Sequence, residues 1–304
     1  MRLTILRGTT CRNFCRNFST FPKYSEYVTK NQMREMHKSP ISSVQSVTKT
    51  DDRIVEKEEF YSVHRSVSTY SGVERFLGKV YATTGLSIAA TLGIAQGLSY
   101  SGMALQYPIH SFGMGAVLCF SGLAGVMYSK YRIVADVDGI SSENTTSRIF
   151  SYGAFVSGMS LTMAPMVEIC NLYSPTILPI ATGLSISTMI GASLFAYSRP
   201  NDSLLVYKAP LMGALTGLIG VSLSALVGSW AFGYNNLAIQ ILHNVDLYGG
   251  IMLFSALTAY DTHKAIDMYK RNDPDHLGVA TDMYLNFMNI LIRVMEVMIK
   301  IQQK

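Results

Sequence analysis

The sequence predicts an all-α integral membrane protein, a compact bundle of about seven transmembrane helices, and three observations predict it. Hydrophobic residues make up 49% of the 304 residues and charged residues only 15%, well below the roughly 25% charged content of soluble domains. Residues 80–128, 176–198 and 209–232 contain no Asp, Glu, Lys or Arg, and about 20 apolar helical residues cross the roughly 30 Å hydrocarbon core of a bilayer. Lys and Arg also alternate between loops. Loops 101–108, 172–175 and 233–240 have none, whereas 129–148 has Lys130, Arg132 and Arg148, 199–208 has Arg199 and Lys208, and 262–279 has Lys264, Lys270 and Arg271. The solvent implied is the lipid bilayer, which excludes a soluble globular enzyme and a disulfide scaffold. A nucleic-acid binder is excluded too, because 25 basic residues against 20 acidic ones form no dense patch.

Residues 1–23 have the profile of a mitochondrial transit peptide: Arg2, Arg7, Arg12 and Arg16, several Ser and Thr, and no acid before Glu26. Arg16-Asn17-Phe18 before Ser19 resembles a matrix-protease cleavage site. The alternative is a basic N-terminus on a protein of another membrane, such as the endoplasmic reticulum. Cys11 and Cys15 would leave with the presequence, and Cys119 and Cys170 show no metal-ligand spacing. Residues 24–77 are polar and of mixed charge, including Glu56-Lys57-Glu58-Glu59. They predict a mobile segment with helical character near Val73–Leu77.

The transmembrane domain, 78–304, follows with apolar spans at 78–100, 109–128, 149–171, 176–198, 209–232 and 241–261, and a more amphipathic seventh at 280–300. Gly93 and Gly97, like Gly213 and Gly217, have the spacing that permits close helix approach. By the positive-inside rule the N-terminus and the second, fourth and sixth loops share one side, the matrix in an inner mitochondrial protein.

Ionisable groups within spans are the functional pointers, since each costs about 2.5–3.5 kcal/mol on insertion scales. Glu168 lies three residues after Pro165, whose missing N–H frees a backbone carbonyl. A carboxylate beside a kink suits a cation, and a position near the membrane surface is the alternative. Asp246 and Asp261 are fifteen residues apart, about 22 Å along a helix, so they mark opposite ends of the sixth span. Taken alone, Tyr260-Asp261-Thr262-His263-Lys264 reads as an interfacial cap. The seventh segment adds weight: Asp282, Asn286, Asn289, Arg293, Glu296 and Lys300 recur at spacings of 4, 3, 4, 3 and 4, forming one polar stripe. A helix lying flat on the membrane is also amphipathic, but this stripe is narrow, as for a seam facing a bundle interior. Chain direction lets Asp261 meet Asp282 and Asn286 at similar depth. No HExxH motif occurs and no Ser/His pair is suggested by position, so neither an enzyme nor a bound cofactor is expected.

Several stretches resemble the Bax inhibitor-1 family and, with the transit peptide, its mitochondrial branch. They are Ala164-Pro165-Met166-Val167-Glu168, Ser174-Pro175-Thr176-Ile177-Leu178-Pro179, Leu247-Tyr248-Gly249-Gly250, Ala259-Tyr260-Asp261-Thr262-His263-Lys264 and Asp282-Met283-Tyr284-Leu285-Asn286-Phe287-Met288-Asn289-Ile290. The resemblance implies a seven-helix bundle with the last helix central. It also implies passage of calcium, by proton-sensitive leak or by exchange for protons, with roles in cell survival and mitochondrial membrane organisation. A non-transporting scaffold regulating apoptosis or cristae structure is the other reading. The family pairs the aspartate of the sixth helix with one early in the seventh. Asp261 matches the first, but Asn286 stands at the second, and an amide removes the proton that two carboxylates share. Asp282, Glu168, Arg293 and Glu296 complete the expected ion path, Lys130 or Arg132 is the expected basic gate, and Asp261 and Glu168 are the expected weak calcium ligands.

Overall fold

The computed structural model describes residues 52–102, 106, 108–136, 139–199, 203–233 and 236–303. The presequence at 1–23 and the polar stretch up to residue 51 lie outside them. Seven long helices among the described residues follow one another: α1 (Asp52–Tyr100), α2 (Pro108–Tyr128), α3 (Thr146–Tyr173), α4 (Ile177–Ser198), α5 (Lys208–Phe232), α6 (Leu237–Lys270) and α7 (His276–Gln302). A β-hairpin, β1 (Tyr131–Asp136) and β2 (Gly139–Asn144), joins α2 to α3, and a short 3-10 turn, Leu205–Tyr207, precedes α5. Among the described residues five stretches, His110–Tyr128, Thr146–Tyr173, Ile177–Ser198, Leu205–Ala231 and Leu237–Lys270, are long and apolar enough to cross a membrane. Ser71–Lys304 forms one compact unit.

The apolar surface is divided between lipid and core. α5 exposes Leu223, Leu226, Val227 and Trp230, a face with no reason to meet water. α7 does the opposite: Met283, Tyr284, Phe287, Met288, Ile290, Leu291 and Met295 are all fully buried, and the helix packs against α6, α4 and α3. The last helix is therefore the central one. Its tyrosine is also satisfied, with Tyr284 Oη 2.6 Å from Thr91 Oγ1 of α1.

Three local features go beyond the sequence reading. Residues 52–77, read as a polar segment with helical character near Val73–Leu77, have a helical backbone within α1. From residue 73 the reason is visible: Val73, Phe76, Leu77 and Val80 are buried at helical spacing, an apolar stripe that the surrounding charges obscure. The 129–148 loop contains the hairpin, in which Arg132 pairs with Glu143 and Ile133 with Ser142. Close helix packing also uses other glycines. A Cβ built on Gly93, Gly97, Gly213 or Gly217 meets nothing within 4 Å. A Cβ on Gly158 of α3 would sit 2.4 Å from the Cys119 backbone nitrogen, and one on Gly122 of α2 would sit 2.4 Å from that of Phe155. Spacing alone does not say which face of a helix meets a neighbour, and α2 and α3 are the pair that touch backbone to backbone.

Gly158→Ala should therefore force α2 and α3 apart. Overpacking of this kind costs about 1–3 kcal/mol, so the melting midpoint of the detergent-solubilised protein should fall by roughly 2–12 °C. Gly97→Ala should leave it within about 1 °C, and equal midpoints for the two variants would refute the packing assignment.

Candidate functional site

α6 and α7 run antiparallel, and the polar stripe of α7 faces α6 from end to end. Lys264 Nζ donates to Asp282 Oδ2 at 2.7 Å. One turn further along α7, Asn286 Nδ2 donates to Asp261 Oδ2 at 2.6 Å. A carboxylate only accepts when ionised, which fixes the amide with its nitrogen toward Asp261. Towards the other end, Arg293 Nη2 lies 3.2 Å from Asp246 Oδ1, His243 Nε2 pairs with Glu296, and Lys300 Nζ reaches Asn244 Oδ1 at 3.5 Å.

Asp261 is 8% exposed and Tyr260 6%, so this run is packed inside the bundle. Its neighbours hold it in place. Thr262 Oγ1 donates to the Thr258 carbonyl at 2.9 Å and lies 3.1 Å from Tyr81 Oη of α1. His263 Nε2 lies 2.6 Å from the Ala196 carbonyl of α4. Asp261 is thus gripped between α1, α4 and α7, with its carboxylate turned to the seam.

Of the residues singled out from the sequence, Asp261, Asn286 and Asp282 come together, and Arg293 and Glu296 form a second group towards the far end of the seam. Glu168 joins neither Asp261 nor Asn286. It lies five residues before the end of α3, at the end of the bundle where Gln303 beyond α7 donates to Tyr173 Oη. Asp261 lies nine residues before the opposite terminus of its own antiparallel run. The rise of about 1.5 Å per residue separates the two carboxylates by more than a ligand shell allows. Among the described residues no cluster of three or more His, Cys, Asp or Glu could hold a metal ion. Neither residue expected as the basic gate is placed beside the Asp261 pair: Arg132 is exposed on β1, Lys130 offers its carbonyl to Thr145, and the cation near that pair is Lys264.

Arg148, counted in the sequence as a loop charge, is the residue that sequence reasoning missed. It is 3% exposed and donates to Asp275 Oδ2 at 2.6 Å, Asn144 Oδ1 at 2.9 Å and the Val126 carbonyl at 3.3 Å. Tyr131 donates to Asp273, and its hydroxyl is held well above its ordinary pKa, by burial first and then by that bond. Asn144 and Ser142 both reach His276, at 3.1 and 2.6 Å. Because Arg148 takes the oxygen of the Asn144 amide, the amide presents N–H to His276 Nε2, which must then be unprotonated. The hairpin is thereby fastened to the start of α7. Its signal in the sequence was Asp273-Pro274-Asp275-His276, an acidic turn in an otherwise basic loop.

The fold and the polar seam define a multi-pass helical membrane protein with a charged ladder at its centre. Residues 73–304 match the family model described as inhibitor of apoptosis-promoting Bax1, and the chain belongs to the Bax inhibitor-1 family. It is 27% identical to an uncharacterized protein of Rickettsia prowazekii over 74% of this chain and 89% of that one. It is 25% identical to Bax inhibitor 1 of Mus musculus over 73% and 84%, and 26% identical to the inner membrane protein YbhL of Escherichia coli K12 over 76% and 94%. No solved structure matches it.

His276 lies outside the spans, and its pKa is lowered from 6.5, by burial first, with Lys79 and Arg148 adding to the effect and Asp275 opposing it. A lowered histidine pKa means that the unfolded chain binds the proton first. The stability this group contributes is therefore complete above its ordinary value and is lost as pH falls through the lower folded value. Protonation would also set an N–H against the Asn144 N–H. Amides of residues 131–144 should exchange faster at about pH 5.5 than at about pH 7.5 after correction for intrinsic rates. His276→Gln should remove that difference, and a difference that persists would assign the titration elsewhere.

Proposed function

We propose that this protein handles calcium in the inner mitochondrial membrane, by leak or by exchange for protons, through the seam between α6 and α7. Roles in cell survival and mitochondrial membrane organisation would follow from that activity. The observation that carries the reading is Asp261: a carboxylate 8% exposed within a membrane-spanning helix, opposed by an amide at 2.6 Å and not by a cation. A carboxylate offers about four lone-pair directions, so the amide leaves capacity for a passing ion. Membership of the family whose model is described by inhibition of apoptosis-promoting Bax1 supports the role in survival. The acid-free, Arg-rich first 25 residues support the organelle, with the N-terminus in the matrix.

The same hydrogen bond favours a second reading, a scaffold whose seam only holds the bundle together, because the amide already satisfies the carboxylate. Calcium flux in liposomes separates the two. Asp261→Asn should reduce flux by about tenfold, the factor that corresponds to losing one charged contact, with membrane insertion unchanged. No protein-dependent calcium flux in the wild type would favour the scaffold, and wild-type flux in the variant would remove Asp261 from the path. Asn286→Asp should set two carboxylates at hydrogen-bond distance, where one proton is shared, beside Lys264 and Asp282. Its pH profile between about pH 6 and 8 should then differ from wild type by a step that Asp261→Asn removes. Identical profiles would contradict a role for the pair in flux.

For the location, residues 1–30 fused to a soluble reporter should carry it into the matrix with cleavage near Ser19. A reporter found in the secretory pathway would move the protein to the endoplasmic reticulum.

A further inference from the structure

Arg293 lies in an oxygen-lined site built from two helices. Its Nε donates to the Asp246 backbone carbonyl at 3.2 Å and its Nη2 to Asp246 Oδ1 at 3.2 Å. Nη1 lies 3.3 Å from both the carbonyl and the side-chain oxygen of Asn289. Ser222 of α5 donates to the same Asp246 Oδ1 at 2.5 Å, tying a third helix to the site. The guanidinium also lies 5.1 Å from the centre of the Phe254 ring, and the side chains of Arg293 and Asp246 are 12% and 20% exposed.

Passage of so bulky a side chain across α6 requires a gap, and Gly250 provides it. A Cβ at that position would lie 1.8 Å from Arg293 Nε and 2.5 Å from its Cδ. Asp246, Gly250 and Phe254 recur every four residues, so one face of α6 presents an anion, a notch and an aromatic ring in line. Each suits one part of the arginine: the head, the stem and the face of the guanidinium. Beyond it, Glu296 is engaged by His243 and by Lys300 at 3.4 Å.

We propose that Arg293 is a tethered cation that occupies the seam's second anionic site and locks that end of the ion path. The proposal rests on the reading of the seam as a path. A permeating cation must displace the guanidinium from Asp246 or find it already displaced. Gly250 is then a positioning residue for the lock: it touches no ion, and it determines whether Arg293 can lie where Asp246 is.

The test reads access and flux separately. In a background with all four native cysteines replaced by serine, Asn286→Cys supplies a reporter thiol two helical turns from Arg293 on the same stripe. Its labelling by a small, permanently cationic thiol reagent added on the side that the C-terminal end of α7 faces is timed in liposomes, and calcium flux is measured on the same variants with Asn286 retained. With Arg293 in place labelling should be slow. Arg293→Gln should speed it by about tenfold or more. Gly250→Ala should do the same although every charge remains, which a purely structural or purely charge-based role of Arg293 would not produce. Arg293→Gln combined with Gly250→Ala should be no faster than either alone. Unchanged labelling in both single variants, each confirmed as a monodisperse species, would overturn the lock. Faster labelling with no calcium flux in any variant would keep the lock and overturn the calcium reading. Calcium flux in wild type with unchanged labelling in the variants would keep the path and overturn the lock.

Discussion

A helix that carries Asp282, Asn286, Asn289, Arg293, Glu296 and Lys300 on one stripe is stable inside a bilayer only if a neighbouring element faces that stripe along its whole length. Hydrocarbon offers no partner, and each stranded group would cost several kcal/mol. That requirement fixes much of the architecture. It pulls α7 inward, sets α6 antiparallel against it, and places Lys264, Asp261, Asp246 and His243 at the levels where their partners lie. The remaining surface of α7 is then free to be mostly apolar, and Met283, Phe287, Ile290 and Leu291 make the core around which the other helices gather. A central position for the most polar of the transmembrane stripes follows from solvation, not in spite of it.

What could be read from the sequence divides along a physical line. Spans were legible because the absence of charge over some twenty residues is a property of composition, insensitive to which face points where. The meeting of Asp261 with Asn286 was legible because antiparallel chain direction and a fixed rise per residue determine depth. Features that depend on rotation about a helix axis were not. Gly93 and Gly97 satisfy the spacing for close approach yet face open space, whereas Gly122 and Gly158 bring α2 and α3 together. Likewise the helical character near Val73–Leu77 was legible, but the face that Val73, Phe76, Leu77 and Val80 bury was hidden among Glu74, Arg75 and Lys79. Contacts across long loops were equally opaque. Nothing local to Arg148 announces that Asp275, 127 residues away, neutralises it.

Arg148 and Arg293 show how differently a buried arginine can be used. Arg148 has its donors spent on an aspartate, an amide and a carbonyl at the margin of the bundle, and the result is a fastening between the hairpin and α7. Losing one partner of such a pair leaves an uncompensated charge and typically costs about 3–5 kcal/mol. Arg293 is held at longer range, 3.2–3.3 Å, by a set of acceptors rich in oxygen. Arginine forms planar, forked contacts and cannot lose its proton, so Arg293 itself can change only by moving and not by titrating.

The charges of the seam are not balanced evenly along its length. Towards the far end, Asp246 and Glu296 are matched by Arg293 and Lys300, with His243 alongside. At the near end, Asp261 and Asp282 share the single ammonium of Lys264, which lies against Asp282. Asp261 is left with an amide dipole as its partner. A dipole supplies a hydrogen bond without cancelling a charge, so when Asp261 is ionised its charge is the one in the seam that no cation pairs directly. An aspartate in place of Asn286 would have deepened that imbalance unless a proton were held between the two carboxylates. A lysine would have abolished it and filled the site with a permanent cation. Asparagine does neither: it orients the carboxylate, satisfies one of its lone pairs, and preserves the field that would draw a mobile cation in from the end where Lys264 and Asp282 are about two-fifths exposed.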